Sequence, residues 1–358
     1  MNAALPILSR PRRMKRCGRS VLLWSLALYA AAAVGLGAVV NRWCPEVAAR
    51  LYRDKWAQLC RVAAESPRGS LVVMLGSSRT DRAFQAGLLD GRAGPDGRGL
   101  RAYNFGVRMA GPIHEYIYLQ RMLRRGIRPR LLLVEYLPPL LNDGGSTRVI
   151  SEENWTFPAW LSPADLARLS PYLARPGRKV RGWLEARLAP WYAHRAPLNN
   201  WLQAQLSPHA RPRQAPWPHD RWGCRLPEAL TASERTRRYQ LTREYVSSLA
   251  HFRMGKGPAR AMRDLLETCR RERIPVVLVL TPESTEFRSW YSPQCLAATL
   301  GLLEELRAAF GVEVVDARDW VPDEDFQDGH HLDERGARVF TTRLIAEVQR
   351  VLARDNPR

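Results

Sequence analysis

The sequence predicts an α/β fold in which about five parallel strands form a sheet with helices on both faces. Short apolar runs recur along the chain, helical patterns separate them, and the first two runs end in glycine. Strands buried on both faces of a parallel sheet are typically continuous apolar runs. Their alternation with helices favours a flavodoxin-like, three-layer α/β/α arrangement with right-handed connections.

Each element has its own signal. Apolar runs predict strands at residues 71–75, 103–106, 130–136, 275–280 and 312–315. Apolar residues at helical spacing predict helices at residues 45–65, 114–125, 262–269, 300–309 and 337–352. Gly126 is expected to end the second of these helices, because glycine adopts the left-handed conformation common at helix C-termini.

A membrane segment precedes the first strand. Residues 20–40 form a run of 21 residues without a charge, long enough to cross a bilayer and longer than the apolar part of most signal peptides. Six basic residues precede this run, and basic residues also follow it, so the positive-inside bias toward a cytoplasmic N-terminus is modest. We expect a single-pass inner-membrane protein whose large C-terminal part is periplasmic or extracellular; cleavage at the Ala/Gly-rich end is the alternative. The six preceding residues are Arg10, Arg12, Arg13, Lys15, Arg16 and Arg19.

The predicted organisation has five parts. Residues 1–19 form a basic cytoplasmic tail, 20–42 the transmembrane anchor, and 43–69 a juxtamembrane helix. Residues 70–139 and 258–358 form the α/β domain, which residues 140–257 interrupt as an inserted lid or binding subdomain.

The insertion is rich in Pro, Arg and Trp. Its aromatic rings, with arginines nearby, suit stacking on sugar rings. They equally suit a small core or a position at the membrane interface, and both interpretations stay open. Seven of the twelve tryptophans lie here: Trp155, Trp160, Trp183, Trp191, Trp201, Trp217 and Trp222.

The net charge is +20 and the pI about 10.5, mostly from arginines spread along the chain. Such a charge favours anionic partners, although a genome that prefers Arg codons explains it equally well. No nucleic-acid-binding motif is present, so nucleic acid is not an expected partner. Five of the six cysteines lie beyond the membrane segment at wide spacing, which predicts at most one or two disulfides, and no CxxC pair suggests a zinc site. The enzyme class favoured below implies no metal or organic cofactor.

Two separated motifs suggest nucleophilic catalysis. Ser77 and Ser78 follow the first strand and Gly76, at the sheet edge where α/β folds bind ligands and beside a helix N-terminus that can hold an oxyanion. Asp328 and His331 lie three residues apart before the last helix, where the carboxylate can orient the imidazole toward a nucleophile. The alternatives are a Ser78 that only caps the following helix, and His330 in place of His331.

These motifs resemble those of the SGNH (GDSL-type) hydrolase superfamily, in the membrane-anchored branch that includes D-alanine-transfer and alginate O-acetylation proteins. Gly76–Ser78 resembles the Gly-Asp-Ser block, with Ser78 as the nucleophile and Ser77 in place of the aspartate. Asn104–Gly106 resembles the second block, and Asp328 with His331 the last one. The resemblance implies that the backbone N–H groups of Ser78 and Gly106 bind the oxyanion.

One block departs from the family pattern. The usual Gly-x-Asn-Asp after the third strand is replaced by VEYLPPLLND, in which Asn142 comes late and lacks the preceding glycine. Asn142 is therefore not assigned the role of oxyanion donor, whose loss lowers rates by about 10²–10³.

Four further residues are expected near the pocket: Ser77, Arg79, Asn104 and Thr281. Of these, Arg79 either steers an anionic substrate or forms a surface salt bridge.

The other histidines have no convincing partner in the sequence. They lie at positions 114, 194, 209, 219 and 251.

The resemblance implies an esterase or O-acyltransferase with Ser78, His331 and Asp328 as its triad. The membrane anchor and the aromatic, basic insertion favour acyl groups on a cell-envelope or exported polysaccharide as the substrate. Transferases of this kind work with a multi-span membrane acyltransferase partner. The alternative is a non-catalytic glycan-binding or assembly protein that keeps the fold.

Overall fold

The computed structural model describes residues 13–43, 48–66, 69–143, 150–155, 161–188, 195, 199, 218–227 and 230–354. The chain divides into two compact units, Met1–Val47 with Arg181–Arg213, and Ala48–Val180 with Gln214–Arg358. The first unit contains helix α1 (Arg13–Trp43). Within it, Gly18–Leu36 is long and apolar enough to cross a membrane, as either an anchor or a signal sequence. The orientation stays a prediction, and residues 1–12 of the tail lie outside the described residues.

The second unit is built on a five-stranded parallel sheet. Its strand order, β2-β1-β3-β4-β5, is the flavodoxin-like order, so the predicted fold class is confirmed. Gly76 pairs with Gly106 at the ends of β1 and β2, which places the two predicted glycine blocks side by side. The strands are β1 (Leu71–Gly76), β2 (Arg101–Gly106), β3 (Leu131–Glu135), β4 (Val276–Leu280) and β5 (Glu313–Asp316).

Helices cover both faces of this sheet. The apolar side chains of each strand alternate between two core layers because successive residues point to opposite faces. The covering helices are α2 (Ala48–Glu65), α3 (Ser78–Ala83), α4 (Pro112–Arg124), α10 (Lys256–Glu272), α12 (Pro293–Phe310) and α13 (Glu334–Arg354). One core layer packs against α2, α4, α10 and α12, and the other packs against α3 and α13.

The remaining described helices lie in the region predicted as an insertion or follow β4. They are α5 (Glu152–Trp155), α6 (Pro163–Leu169), α7 (Pro176–Leu188), α8 (Ala232–Thr242), α9 (Glu244–Ala250) and α11 (Thr285–Ser289). Several residues singled out in the sequence fall outside the described part of the chain: Trp160, Trp191, Trp201, Trp217, His194, His209 and Cys44.

Helix α2, predicted as a juxtamembrane element, is part of the α/β core. Leu59 is fully buried against the sheet. Lys55 is also buried, donates to the Asp81 carboxylate, and donates to the Gly106 carbonyl oxygen at 2.5 Å. A second partner of Asp81 is His219, whose Nε2 lies 3.0 Å from Oδ1. Burial alone would raise the pKa of Asp81, but Lys55 and His219 lower it to about 2.

A segment of the insertion covers the open edge of the sheet, where an unpaired strand would otherwise present free backbone groups. The Asn104 N–H donates to the Trp222 carbonyl at 2.8 Å, and the Arg225 N–H to the Asp81 carbonyl at 2.9 Å. A Cβ on Gly87 would lie 2.8 Å from the Trp222 ring, so the ring rests directly on that backbone. Trp222 is thus a packing residue, which favours the core interpretation for this one tryptophan.

Glu115 in α4 generates a stability prediction. Its side chain is fully buried, and both carboxyl oxygens lack a hydrogen-bond partner among the described residues. Burial, with the charges of Glu135 and Glu152, raises the pKa of Glu115 well above its usual value. The folded protein therefore keeps this acid neutral at a pH where the unfolded chain ionises it.

We expect Glu115→Gln to leave the free energy of unfolding nearly unchanged at pH 4. It should increase that free energy progressively above the unfolded pKa of about 4.3, until the pH reaches the folded pKa. Denaturant unfolding between pH 4 and 9 measures this difference, with the exposed Glu304→Gln as the matched control. Parallel pH curves for wild type and Glu115→Gln would contradict the assignment.

Candidate active site

Ser78 is the first residue of α3, immediately beyond the turn that ends β1. Ser77 is the N-cap: its Oγ accepts the Arg79 N–H at 3.1 Å. The interpretation of Ser78 as the helix cap is therefore wrong. The Ser78 N–H lies in the first turn of α3, where backbone donors have no partner within the helix.

The structure brings Ser78, His331 and Asp328 together. His331 Nε2 lies 3.0 Å from Ser78 Oγ, and His331 Nδ1 lies 2.8 Å from Asp328 Oδ2. The His331 N–H also donates to Asp328 Oδ1 at 2.9 Å, which fixes the loop around the carboxylate. Gly329 has a φ of +86° in this loop, a conformation that glycine adopts without strain.

The electrostatics keep His331 neutral near pH 7. Burial lowers the pKa of His331, and the positive charges of Arg82 and Arg79 lower it further, whereas the Asp328 carboxylate raises it. The net result is a pKa of about 4. Burial would raise the pKa of Asp328, but its contacts with His331 and His330 hold that pKa below its usual value. With Nδ1–H directed at the carboxylate, Nε2 is the acceptor that faces the Ser78 hydroxyl.

His330 lies behind His331 rather than against Ser78. Its ring centroid is 3.9 Å from that of His331. On its other sides are Phe287 from α11 and Tyr245 from α9, at centroid distances of 5.5 and 5.2 Å. The helix α9 of the predicted insertion therefore contributes a ring to the support of the histidine loop.

Gly106 allows close packing beneath the nucleophile turn. A Cβ at this position would lie 2.8 Å from the Ser77 carbonyl oxygen. The Gly106 N–H, predicted as an oxyanion donor, donates to Asn104 Oδ1 at 2.9 Å. Asn104 is fully buried, and its Nδ2 donates to the carbonyls of Thr80 and Phe84, both at 2.7 Å. Oxyanion binding by Gly106 therefore requires this N–H to be shared with Asn104 or released from it.

Sequence reasoning missed Glu135, the last residue of β3. Its buried carboxylate accepts the Ser77 N–H at 2.5 Å and the Thr80 hydroxyl at 3.1 Å on Oε2, and the Thr281 hydroxyl at 2.9 Å on Oε1. The signal was a charged residue at the end of the apolar run LLLVE, because a carboxylate is rarely buried without partners.

Arg79 is also buried, contrary to both sequence-based interpretations, which place it at the surface or facing substrate. It forms an ion pair with Glu283 at 2.9 Å and donates to the carbonyls of Thr281 at 3.0 Å and Pro282 at 2.5 Å. Thus Ser77, Arg79, Asn104 and Thr281, which the sequence expects at the pocket, are at most 3% exposed and support the turn from within.

Asn142 lies away from this arrangement. Its Nδ2 donates to the Ser248 carbonyl at 3.1 Å, and its Oδ1 accepts the Arg253 N–H at 3.0 Å. The amide therefore connects the loop after β3 to α9 and to the segment that follows α9. Two other histidines also have unpredicted partners, since His219 contacts Asp81 and His114 contacts Glu152.

Comparisons with known proteins identify no family for this chain. One family model, which carries no description, matches residues 235–353, less than half of the chain. No curated protein gives a significant match. Among solved structures, the chain is similar to LAE5, an alpha/beta hydrolase enzyme from the metagenome of Lake Arreo, Spain, with 13% identity and a TM-score of 0.32. The alignment covers 79% of this chain and 96% of that one.

A TM-score of this size identifies neither a shared site nor a shared reaction. By its structure, the chain is a three-layer α/β protein in which a serine, a histidine and an aspartate meet where β1 ends.

The Glu135 network generates a prediction. We expect Glu135→Gln to decrease the free energy of unfolding by about 1–3 kcal/mol, because the amide NH₂ cannot accept from the buried donors that the carboxylate serves. Denaturant unfolding measures this loss, and the exposed Glu304→Gln should change stability by less than about 0.5 kcal/mol. Equal stability of Glu135→Gln and wild type would contradict the role given to this carboxylate.

Proposed function

We propose that the protein is an extracytoplasmic serine esterase or O-acyltransferase of the SGNH type, with Ser78 as the nucleophile. The observation that supports this most strongly is the continuous contact from Ser78 Oγ through His331 to Asp328, at 3.0 and 2.8 Å. The neutral state of His331 near pH 7 is what a general base requires.

The reaction begins when Ser78 Oγ attacks the ester carbonyl carbon and His331 Nε2 accepts the hydroxyl proton. The tetrahedral intermediate then collapses, the C–O bond to the leaving alcohol breaks, and the histidinium returns its proton to that alcohol. Asp328 holds the imidazole in the required tautomer and stabilises it while it is charged. Water or a sugar hydroxyl next attacks the acyl-serine while His331 accepts its proton. The C–O bond to Ser78 then breaks, and the histidinium returns the proton to Ser78 Oγ.

The oxyanion is bound by the Ser78 N–H and by the Gly106 N–H once it leaves Asn104 Oδ1. Such a rearrangement fits catalytic hydrogen bonds that form fully only in the substrate complex. Because the Asn142 amide is held by the Ser248 carbonyl, away from Ser78, we expect a modest rate, since one oxyanion donor typically contributes about 10²–10³.

The substrate class follows from the rest of the chain. Three features support acyl groups on a cell-envelope or exported polysaccharide as the substrate. They are an apolar span near the N-terminus, the basic charge of the chain and an insertion rich in tryptophan and arginine. We place the protein in the inner membrane, anchored through residues 20–42 with its α/β unit in the periplasm. There a multi-span membrane acyltransferase partner would supply the acyl group. Stimulation of p-nitrophenyl acetate turnover by an added glycan acceptor would distinguish transfer from simple hydrolysis.

One observation favours the alternative, a non-catalytic glycan-binding or assembly protein. The Gly106 N–H, the second oxyanion donor that the resemblance implies, donates to Asn104 Oδ1, and the amide of Asn142, the asparagine that follows the altered third block, donates to the Ser248 carbonyl. In that case Ser78→Ala would leave polysaccharide O-acylation unchanged in cells, and only removal of the insertion would abolish it.

The decisive experiment is labelling of the full chain in detergent with a fluorophosphonate. We expect one adduct on Ser78, lost in Ser78→Ala and decreased at least about 10³-fold in rate in His331→Ala. His251→Ala is the matched control, because this histidine is exposed and its Nδ1 bonds the Ser247 carbonyl of its own helix turn. A folded protein that is never labelled, or full labelling of His331→Ala, would overturn the proposed mechanism.

The pKa of His331 generates a pH prediction. Because protonated His331 cannot accept the Ser78 proton, labelling should fall as the pH decreases through about 4, well below the usual histidine value of about 6.5. Arg82→Gln removes a positive charge that lowers the His331 pKa, so the acid limb should move to higher pH. Rate-versus-pH profiles of both proteins, with circular dichroism to verify folding at each pH, test this. Coincident limbs near pH 6.5 would contradict it.

A further inference from the structure

The proposed mechanism assigns no role to the Nδ1 atom of His330. Its side chain is 7% exposed, and its Nδ1 is buried without a hydrogen-bond partner among the described residues. Leaving a buried imidazole nitrogen unpaired costs free energy. The ring is held in this position by Phe287, Tyr245 and His331.

The unpartnered nitrogen faces the carboxylate that also binds His331. His330 Nδ1 lies 3.6 Å from Asp328 Oδ1, and His331 Nδ1 lies 3.1 Å from the same oxygen. One ligand atom from each of the three residues lies within 4.8 Å of the others. A tetrahedral zinc ion about 2.0–2.2 Å from each ligand separates its ligand atoms by roughly 3.3–3.6 Å. The two separations from Asp328 Oδ1, 3.6 and 3.1 Å, are close to this range.

We propose that Asp328, His330 and His331 bind a divalent transition-metal ion of the zinc type, and that this binding switches the site off. Two imidazoles and a carboxylate suit zinc, and three protein ligands leave one position for water. No zinc site was expected here from the sequence, because Asp-x-His-His is not a recognised zinc spacing and the contacts depend on the fold of the loop.

The inhibitory effect follows from the tautomer of His331. Free His331 carries its proton on Nδ1, directed at Asp328, and offers Nε2 to Ser78. A metal on Nδ1 requires that nitrogen to be unprotonated, so the ring proton moves to Nε2 and no proton leaves the imidazole. Nε2–H can then only donate to Ser78 Oγ, and His331 can no longer act as its base.

Zinc binding to the full chain in detergent tests the site without relying on activity. The protein is stripped with a chelator, and ZnCl₂ is titrated in competition with a chromophoric chelator. We expect one site per chain that His330→Gln weakens at least about tenfold. Ser78→Ala and His251→Gln, which remove no proposed ligand, should bind as wild type does.

Two measurements keep the result interpretable. Thermal unfolding verifies that His330→Gln is folded, and His331→Gln provides a second loss of a ligand should the first variant unfold. Co²⁺ in place of Zn²⁺ reports the ligand type, because thiolate ligation by a cysteine produces an intense charge-transfer band that nitrogen and oxygen ligands lack. Wild-type affinity in folded His330→Gln or His331→Gln, a thiolate band, or no binding to the stripped protein would each overturn the proposal.

Inhibition of Ser78 by the metal is measured in a separate experiment. Zn²⁺ should block fluorophosphonate labelling of Ser78 in wild type, and a chelator should restore it. This second readout rests on the proposed function, whereas metal binding does not. A chain that binds Zn²⁺ through His330 but is never labelled would therefore overturn the esterase mechanism and leave the metal site standing.

Discussion

The site depends on one buried carboxylate, that of Glu135. It receives donors from the turn after β1, from α3 and from the loop after β4, so a single side chain at the end of β3 fixes the relative position of three segments. Arg79 runs alongside, with its Nε 4.0 Å from Glu135 and its Nη1 on Glu283, and supplies positive charge to this interior. A central strand ending in a charge is tolerated only because every one of these partners is in place.

A second buried arrangement holds the same helix from the other side. Asp81 lies one turn beyond Ser78 and contacts Lys55 from α2 and His219 from the insertion. Lys55 also donates to the carbonyl of Gly106, the residue whose missing side chain lets α3 approach β2. The six-residue helix that begins with Ser78 is too short to be stable by itself. These long-range polar contacts, with packing on the sheet, therefore define its position.

The sequence predicted the elements well because their signals are local. The five strands match their apolar runs to within two residues at each end, and the two glycine blocks pair as parallel strands of one sheet would place them. The juxtaposition of Ser78 with Asp328 and His331 could be anticipated, because loops that follow parallel strands meet at one edge of the sheet.

The supporting residues could not be anticipated in the same way. The structural roles of Glu135, His219 and Lys55 depend on partners that lie between 26 and 146 residues away in the sequence. Arg79 was expected to steer an anionic substrate or to form a surface salt bridge, because its buried partner Glu283 lies 204 residues away in the sequence. Asn104 was placed in the pocket because its block resembles a catalytic one, whereas its amide in fact bridges β2 and α3.

The burial of the cysteines affects the reactivity of their thiols. In the described part of the chain Cys60, Cys224, Cys269 and Cys295 are all free thiols. Burial raises the pKa of Cys224, and it raises those of Cys269 and Cys295 to about 12, so these three groups carry almost no thiolate, the form that reacts. While the core stays folded, these three buried thiols are therefore slow to react with oxidants or with other thiols.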